Sequence, residues 1–180
     1  MSADYFQILG LPASYKVDPA ALERAFHDRS KELHPDRFAS APAAERVAAL
    51  QRSMALNEAY KALKKPVSRA EYLLGKAGLT IGGNERLDPA FLMEILELRE
   101  ELAAARVADD RDTVVRLEAA MKARRDTSLA ALDPLFACAE SSTGDTRASC
   151  LAEIKTTLIL LRYIGRYLEE CDAALDEDAA

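Results

Sequence analysis

The sequence Lys31-Glu32-Leu33-His34-Pro35-Asp36-Arg37 separates two segments with helical character. The first helix is predicted to start at Asp18-Pro19, since aspartate caps a helix amino terminus and proline is tolerated at its first position. Pro35 ends this helix, and a second is predicted from about Pro42 to Leu63. The two helices should pair antiparallel, which places His34-Pro35-Asp36 in a short, stiff loop at one end of the hairpin.

The first of these helices has two different faces. At roughly 100° per residue, Leu22, Phe26 and Leu33 share an apolar side that should pack on the second helix. The opposite side is basic, leads toward His34, and would suit an acidic partner: it carries Arg24, His27 and Lys31.

Helical patterns also occur before the hairpin and along its second helix. A short helix is predicted over Asp4 to Leu9, where Gly10 and Pro12 stop it. The helix from about Pro42 has residues at steps of three and four that predict a continuous inward stripe: Val47, Leu50, Met54, Asn57 and Tyr60.

The second half of the chain shows three longer helical patterns. Asp88-Pro89 starts a helix that runs to about Val107, and two more are predicted from about Arg111 to Phe136 and from about Thr146 to Leu175. Strand patterns are nearly absent. The sequence therefore predicts an all-α protein whose second half is an antiparallel three-helix bundle.

Charge divides the chain in the same way as the helices. Of 180 residues, 24 are Lys or Arg and 30 are Asp or Glu. Residues 1–78 carry 12 basic and 9 acidic side chains, net +3, and residues 79–180 carry 12 and 21, net −9. Three of the seven glycines fall within residues 76–84, which marks this segment as the boundary.

Composition excludes several classes of protein. No apolar run approaches the roughly 18 residues needed to cross a bilayer, and the amino terminus lacks a signal-like segment, so a cytoplasmic protein is expected. The acidic net charge and the absence of Trp argue against nucleic-acid binding.

The few cysteines and histidines predict neither a metal site nor an active site. With His27 and His34 as the only histidines and no CxxC pair, zinc has almost no ligands. A link between Cys138 and Cys150 is conceivable, but three free thiols are expected in a reducing compartment. An enzyme would need His34 as a base beside Asp36, and residues two apart around a proline do not face each other in that way.

The hairpin loop, followed by Asn57-Glu58-Ala59-Tyr60, resembles a J-domain over residues 4 to about 75. J-domains activate chaperone ATPases of the DnaK class. The resemblance implies a chaperone-binding surface that consists of His34, Pro35, Asp36, Arg24, His27, Lys31 and Arg37.

The helix after Asp88 has more apolar residues than one core-facing stripe needs. Phe91, Ile95, Leu98 and Leu102 already complete such a stripe. The surplus apolar residues are Leu92, Met93 and Leu96, and they share the outward side with Glu97 and Glu100, which gives an apolar patch bordered by carboxylates. The alternative is that another helix covers this patch as core.

The segments Arg69–Leu74 and Ala90–Leu102 are similar to the HscB family of iron–sulfur co-chaperones, and the similarity spans nearly the whole chain. It implies a J-domain over 1–75, a linker over 76–87 and a client-binding bundle over 88–180. The expected partners are an HscA-type chaperone and the scaffold IscU, with no cofactor and no metal. The scaffold would bind Leu92, Met93, Leu96, Glu97 and Glu100, with Tyr163 as an additional candidate. Ala104 stands where the family can carry another acidic contact residue.

Two alternatives remain open from the sequence. Residues 1–75 say nothing about cargo, so the protein could be a J-domain adaptor for a different client. The acidic half could also be a dimerising helical bundle with a structural role.

Overall fold

The computed structural model describes residues 4–82, 85 and 88–177. Over those residues the regular structure consists of seven α-helices and one short 3-10 helix, without strands, so the predicted all-α class is confirmed. The chain divides into two compact units, Met1–Lys76 and Ala77–Ala180. Of the helices in the described part of the chain, none combines the length and apolar character that crossing a bilayer requires.

Parts of the predicted layout lie outside the described residues. These are residues 83, 84, 86 and 87 of the predicted linker, residues 178–180 of the predicted bundle, and residues 1–3 of the amino terminus.

The first unit contains the predicted hairpin, the predicted short helix before it and one further helix after it. Its elements are α1 (Tyr5–Leu9), α2 (Pro19–Glu32), a 3-10 helix (Pro35–Phe38), α3 (Ala43–Lys64) and α4 (Pro66–Lys76). The Asp18 carboxylate caps α2 by accepting a hydrogen bond from the backbone N–H of Ala20 at 3.0 Å. Gly10, with a φ of +70°, ends α1 in the left-handed conformation that glycine adopts without strain.

The core of the first unit forms where α1 and α2 meet α3. It consists of Phe6 and Leu9 from α1, Leu22 from α2, and Leu56, Ala59 and Leu63 from α3. This packing holds α2 and α3 together as a hairpin and thereby fixes both ends of the loop between them.

The inward stripe predicted for α3 is wrong. Val47, Leu50 and Met54 are 55%, 54% and 57% exposed, Asn57 is also exposed, and Tyr60 is half-buried. The buried face of α3 carries smaller or later residues instead: Ala49, Leu56, Ala59 and Leu63. Apolar residues recur with helical spacing on both faces of α3, so the spacing alone does not choose between them. Helices α1 and α2 pack on the face opposite the predicted stripe.

Helix α4 is an element that the sequence analysis did not predict. Its Arg69 is buried, and the guanidinium donates hydrogen bonds to the carbonyl oxygens of Leu63 and Tyr15 at 3.0 and 2.7 Å. Burial lowers the pKa of Arg69. Leu63 lies at the end of α3 and Tyr15 in the segment between α1 and α2, so Arg69 satisfies a terminal carbonyl of α3 and anchors α4 to that segment.

The second unit is built from three long helices, α5 (Pro89–Val107), α6 (Arg111–Ser141) and α7 (Gly144–Glu177). Asp88 caps α5 through the backbone N–H of Ala90 at 3.2 Å. The shared core of the three helices includes Phe91, Ile95, Leu102, Val114, Leu117, Met121, Ile164, Tyr167 and Cys171. The connection from α6 to α7 is shorter than predicted, because both helices extend to within two residues of each other.

The expectation of three free thiols is also wrong. Cys138 near the end of α6 and Cys150 near the start of α7 form a disulfide, with Cα atoms 6.3 Å apart. The tight α6–α7 turn brings these positions together, which the sequence separation alone does not reveal. Cys171 is a buried free thiol, and burial raises its pKa to about 11.

Candidate interaction surfaces

The hairpin loop is compact and polar. His34 caps the 3-10 helix, and its Nδ1 accepts a hydrogen bond from the backbone N–H of Asp36 at 3.3 Å. The backbone N–H of Arg37 donates to the carbonyl oxygen of His34 at 3.0 Å, which closes the turn. Pro35 begins the 3-10 helix, where its fixed φ limits the loop to few conformations.

The Asp36 carboxylate is available to a partner. Its Oδ2 lies 3.4 Å from Nδ1 of His34, and the two side chains are 89% and 59% exposed. The loop therefore presents this exposed carboxylate next in sequence to the exposed Arg37.

The basic residues predicted for this surface lie on or beside α2. Arg24 is exposed and its guanidinium is 3.8 Å from the Asp18 carboxylate, a distance at the outer limit of an ion pair. His27 is exposed, and its ring centroid is 5.8 Å from that of Phe26. Lys31 and Arg37 are exposed as well, and within the described part of the chain neither forms an ion pair.

The outward side of α5 carries a surface that the rest of its own unit leaves open. Leu92, Met93 and Leu96 are 43%, 57% and 45% exposed. Phe91 and Ile95, which alternate with them along the helix, are buried in the shared core. We call Leu92, Met93, Leu96, Glu97 and Glu100 the α5 surface.

The acidic residues of α5 fall into two groups. Glu94 and Glu101 form ion pairs with Arg124 and Arg116 of α6. Glu97 and Glu100 are exposed and have no ion-pair partner among the described residues. Two uncompensated carboxylates thus adjoin the apolar residues, a combination suited to a partner that is apolar at its centre and basic at its rim.

Tyr163 of α7 contacts α5 through Phe91, a core residue that is not part of the α5 surface. Its ring meets that of Phe91 edge-to-face with centroids 6.3 Å apart, and the side chain is half-buried. Arg166 lies over the other side of the Tyr163 ring at 5.8 Å. The position follows from packing between α5 and α7, so spacing within one helix could not have identified it.

The described residues offer little for chemistry. They contain no cluster of three or more His, Cys, Asp or Glu side chains that could hold a metal ion. His34 and Asp36 contact each other at the surface of the loop, where both side chains are exposed. Two features were missed by sequence reasoning: the exposed apolar stripe of α3, and a basic groove between α2 and the end of α3.

Comparison with known proteins matches both units. Residues 4–72 match the DnaJ domain, and residues 87–172 match the HSCB C-terminal oligomerisation domain. The structure is similar to chaperone HscB from Vibrio cholerae, with a TM-score of 0.78 and 33% identity over 97% of this chain and 99% of that one. It is also similar to the human co-chaperone protein HscB, with a TM-score of 0.81 and 27% identity over 96% of this chain and 82% of that one. The DnaJ match covers the paired helices around the loop, and the HSCB C-terminal match covers the three long helices. Together with the similarity to chaperone HscB from Vibrio cholerae, these matches show that the chain belongs to the HscB family of co-chaperones.

Proposed function

We propose that this protein delivers an iron–sulfur scaffold of the IscU type to a DnaK-class chaperone of the HscA type. The first unit stimulates ATP hydrolysis by the chaperone, and the second unit binds the scaffold, so that cluster transfer from the scaffold is promoted. The protein performs no covalent step itself and needs no cofactor in this scheme.

The chaperone half of the proposal is supported by the loop at His34, Pro35 and Asp36. The loop is rigid, so little conformational entropy is lost when a partner binds it. The exposed Asp36 carboxylate can bind a cationic group of the chaperone, while Arg24, Lys31 and Arg37, together with the exposed ring of His27, offer donors along and beside α2 to an acidic surface.

The scaffold half depends on the α5 surface, and this is the observation that carries the proposal. Leu92, Met93 and Leu96 are exposed next to one another and next to Glu97 and Glu100, and contiguous exposed apolar side chains rimmed by polar residues favour binding to a partner. Met93 can adapt its shape to a partner, and Glu97 and Glu100 can meet basic residues at its edge. Tyr163, whose ring packs against Phe91 of α5, is an additional candidate contact for the scaffold.

Two variants separate the two halves. Asp36→Ala should abolish stimulation of the chaperone ATPase and leave scaffold affinity unchanged. Leu92→Ala combined with Leu96→Ala should leave basal stimulation intact and weaken scaffold binding about 30-fold, as expected when central apolar contacts worth about 2 kcal/mol are lost. Calorimetric titration with IscU and steady-state ATPase assays with HscA measure the two effects.

Matched controls exist for both variants. Asp28→Ala removes an exposed carboxylate from α2, and Val107→Ala with Val115→Ala removes exposed apolar surface from the second unit. Both should behave as the unmodified protein. If each test variant lost both activities while remaining folded, the proposed division between the two units would be wrong.

A different client remains the second candidate, since a DnaJ domain says nothing about cargo. The α5 surface would then bind another protein with an apolar centre and a basic rim. Failure of IscU to bind, together with intact stimulation of the chaperone, would favour this candidate. Sedimentation at increasing concentration tests the structural role instead, because self-association through the α5 surface should disappear in Leu92→Ala/Leu96→Ala.

A further inference from the structure

The first unit contains a groove that the loop at His34-Pro35-Asp36 does not include. It has a volume of about 570 Å³ and lies between α2 and the end of α3. Its floor is aromatic: the rings of Phe26 and Tyr60 are stacked, with centroids 4.1 Å apart and planes 16° from parallel. Asn57 and Ser68 add an amide and a hydroxyl to its lining.

Three lysines surround this aromatic floor. The Nζ of Lys64 lies 5.1 Å from the centroid of the Tyr60 ring. Lys61 and Lys65, which precede and follow Lys64 in the sequence, also line the groove. A hydrogen bond with Tyr60 raises the pKa of Lys64, so this amine stays protonated. No carboxylate lines the groove, and within the described part of the chain none of the three lysines forms an ion pair. The acidic residue whose charge acts on Lys64 is Glu23 of α2.

Helix chemistry explains only part of this arrangement. Lysines near a helix carboxyl terminus interact favourably with the terminal carbonyl groups, which accounts for Lys61 and Lys64 on the last turns of α3. It does not account for an open aromatic floor between them, because stacked rings at a surface leave apolar area in contact with water. The combination matches a ligand with an apolar side chain flanked by carboxylates.

The groove adjoins the basic side of α2 at one point, where the rings of Phe26 and His27 lie 5.8 Å apart. Phe26 forms part of the floor, and the next residue, His27, belongs to the basic side that leads to His34. A protein that binds the loop and follows α2 therefore comes within reach of the lysines of the groove. The same positive charge that favours this partner disfavours a basic one.

We propose that this groove binds an acidic segment of the DnaK-class chaperone that also carries an apolar side chain. The apolar side chain packs on Phe26 and Tyr60, and the carboxylates pair with Lys61, Lys64 and Lys65. This inference rests on the proposed function of the first unit. Binding in the groove adds affinity for the chaperone, whereas the loop at Asp36 triggers ATP hydrolysis.

The test compares two variants that remove the same charge. Lys61→Gln with Lys65→Gln changes the groove and leaves Lys64 on the Tyr60 ring, while Lys16→Gln with Arg52→Gln removes two exposed cations elsewhere in the first unit. The groove variant should need roughly three to ten times more protein for half-maximal stimulation of HscA, with an unchanged maximum. The control should shift by less than about twofold, as long-range charge alone would predict.

The outcomes separate this inference from the proposed function. If Asp36→Ala still stimulates the chaperone, the proposed function fails. If Asp36→Ala is inactive but the groove variant behaves like the control variant, the groove proposal alone is overturned. Full-length labelled protein also gives an independent reading by NMR: signals of Lys65 and Ser68 should shift on addition of ATP-bound HscA. If these signals instead shift when the concentration of this protein is raised without HscA, the groove binds a second copy of the chain, and the proposal is overturned.

Discussion

At the scale of single residues, Asp4 connects both ends of the first unit. Its carboxylate accepts hydrogen bonds from the backbone N–H of Phe6 and the hydroxyl of Tyr72, both at 3.0 Å, and it pairs with Lys76. The Tyr72 hydroxyl in turn accepts a hydrogen bond from the backbone N–H of Tyr5 at 2.9 Å. These contacts hold α1 against α4, so one carboxylate serves as a helix cap and as a tertiary contact.

Asp4 should make stability depend on pH. Its hydrogen bond with Lys76 holds the pKa of Asp4 below its ordinary value of 3.8, so the folded state binds this proton less readily than the unfolded state. The contribution to stability is therefore present above about pH 4 and is lost as the pH falls further. Asp4→Asn should unfold at a lower temperature than the unmodified protein at pH 7, by an amount equivalent to about 1 kcal/mol, and the difference should shrink as the pH falls from 4 to 3.

Thermal unfolding followed by circular dichroism from pH 7 to pH 3 measures this difference. Other carboxyl groups also have lowered pKa values, for example Asp110, so only the difference between the two proteins isolates Asp4. A constant difference from pH 7 to pH 3 would contradict the role of its charge.

At the scale of elements, α3 has apolar residues on both of its faces. Leu56 is buried, whereas Val47 and Met54 on the opposite side are exposed. Large side chains in solvent contribute little to folding, so these two faces should respond very differently to substitution.

Substitutions on the two faces of α3 should differ in cost. Val47→Ser with Met54→Gln should change the free energy of unfolding by less than about 1 kcal/mol, since both positions are at the surface. Leu56→Ala should reduce it by about 2 to 5 kcal/mol, since it leaves a cavity in the core. Urea denaturation measures both, and equal losses would mean that the exposed face is buried in solution.

The disulfide is a second feature at this scale, because it ties the ends of α6 and α7. It closes a loop with a sequence separation of 12, for which the lost entropy of the unfolded chain corresponds to roughly 3 kcal/mol. Treatment with dithiothreitol should lower the unfolding temperature of the unmodified protein. Cys138→Ser with Cys150→Ser should match the reduced protein and be insensitive to reductant.

Thiol counting provides the control for this prediction. Under non-reducing, denaturing conditions the unmodified protein should react with one equivalent of maleimide, at Cys171. In the native state Cys171 should be unreactive at pH 7, because the thiol is buried and its pKa is about 11. Three reactive thiols in the non-reduced protein would contradict the disulfide.

At the scale of the whole molecule, two differently charged units carry the two proposed activities. Residues 1–78 carry a net charge of +3 and residues 79–180 a net charge of −9. A bridging protein works by raising the local concentration of one partner near another, which requires both binding surfaces on one chain.

Complementation between variants should therefore fail. A mixture of Asp36→Ala with Leu92→Ala/Leu96→Ala contains every surface, but no single chain carries both. The extra ATPase stimulation that IscU adds should remain absent from the mixture, although each variant retains its other binding activity. Recovery to half of the unmodified level or more would show that the two surfaces act across separate copies.

Local chemistry along the sequence determined where most helices start and stop. Asp18-Pro19 and Asp88-Pro89 begin helices as predicted, because a capping carboxylate and a proline at the first position act within one turn. Pro35 separates α2 from the 3-10 helix for the same kind of local reason.

Tertiary structure decided which faces are covered and which groups are paired. The apolar spacing of α3 suits either face, and only packing by α1 and α2 selected Leu56 over Val47. Likewise Glu94 is neutralised by Arg124, whereas Glu97 has no ion-pair partner in the described part of the chain, although both lie on α5 only three residues apart. Helical periodicity states which residues share a side, but burial and charge pairing depend on neighbours that are distant in sequence, such as the α6 arginine 30 positions away.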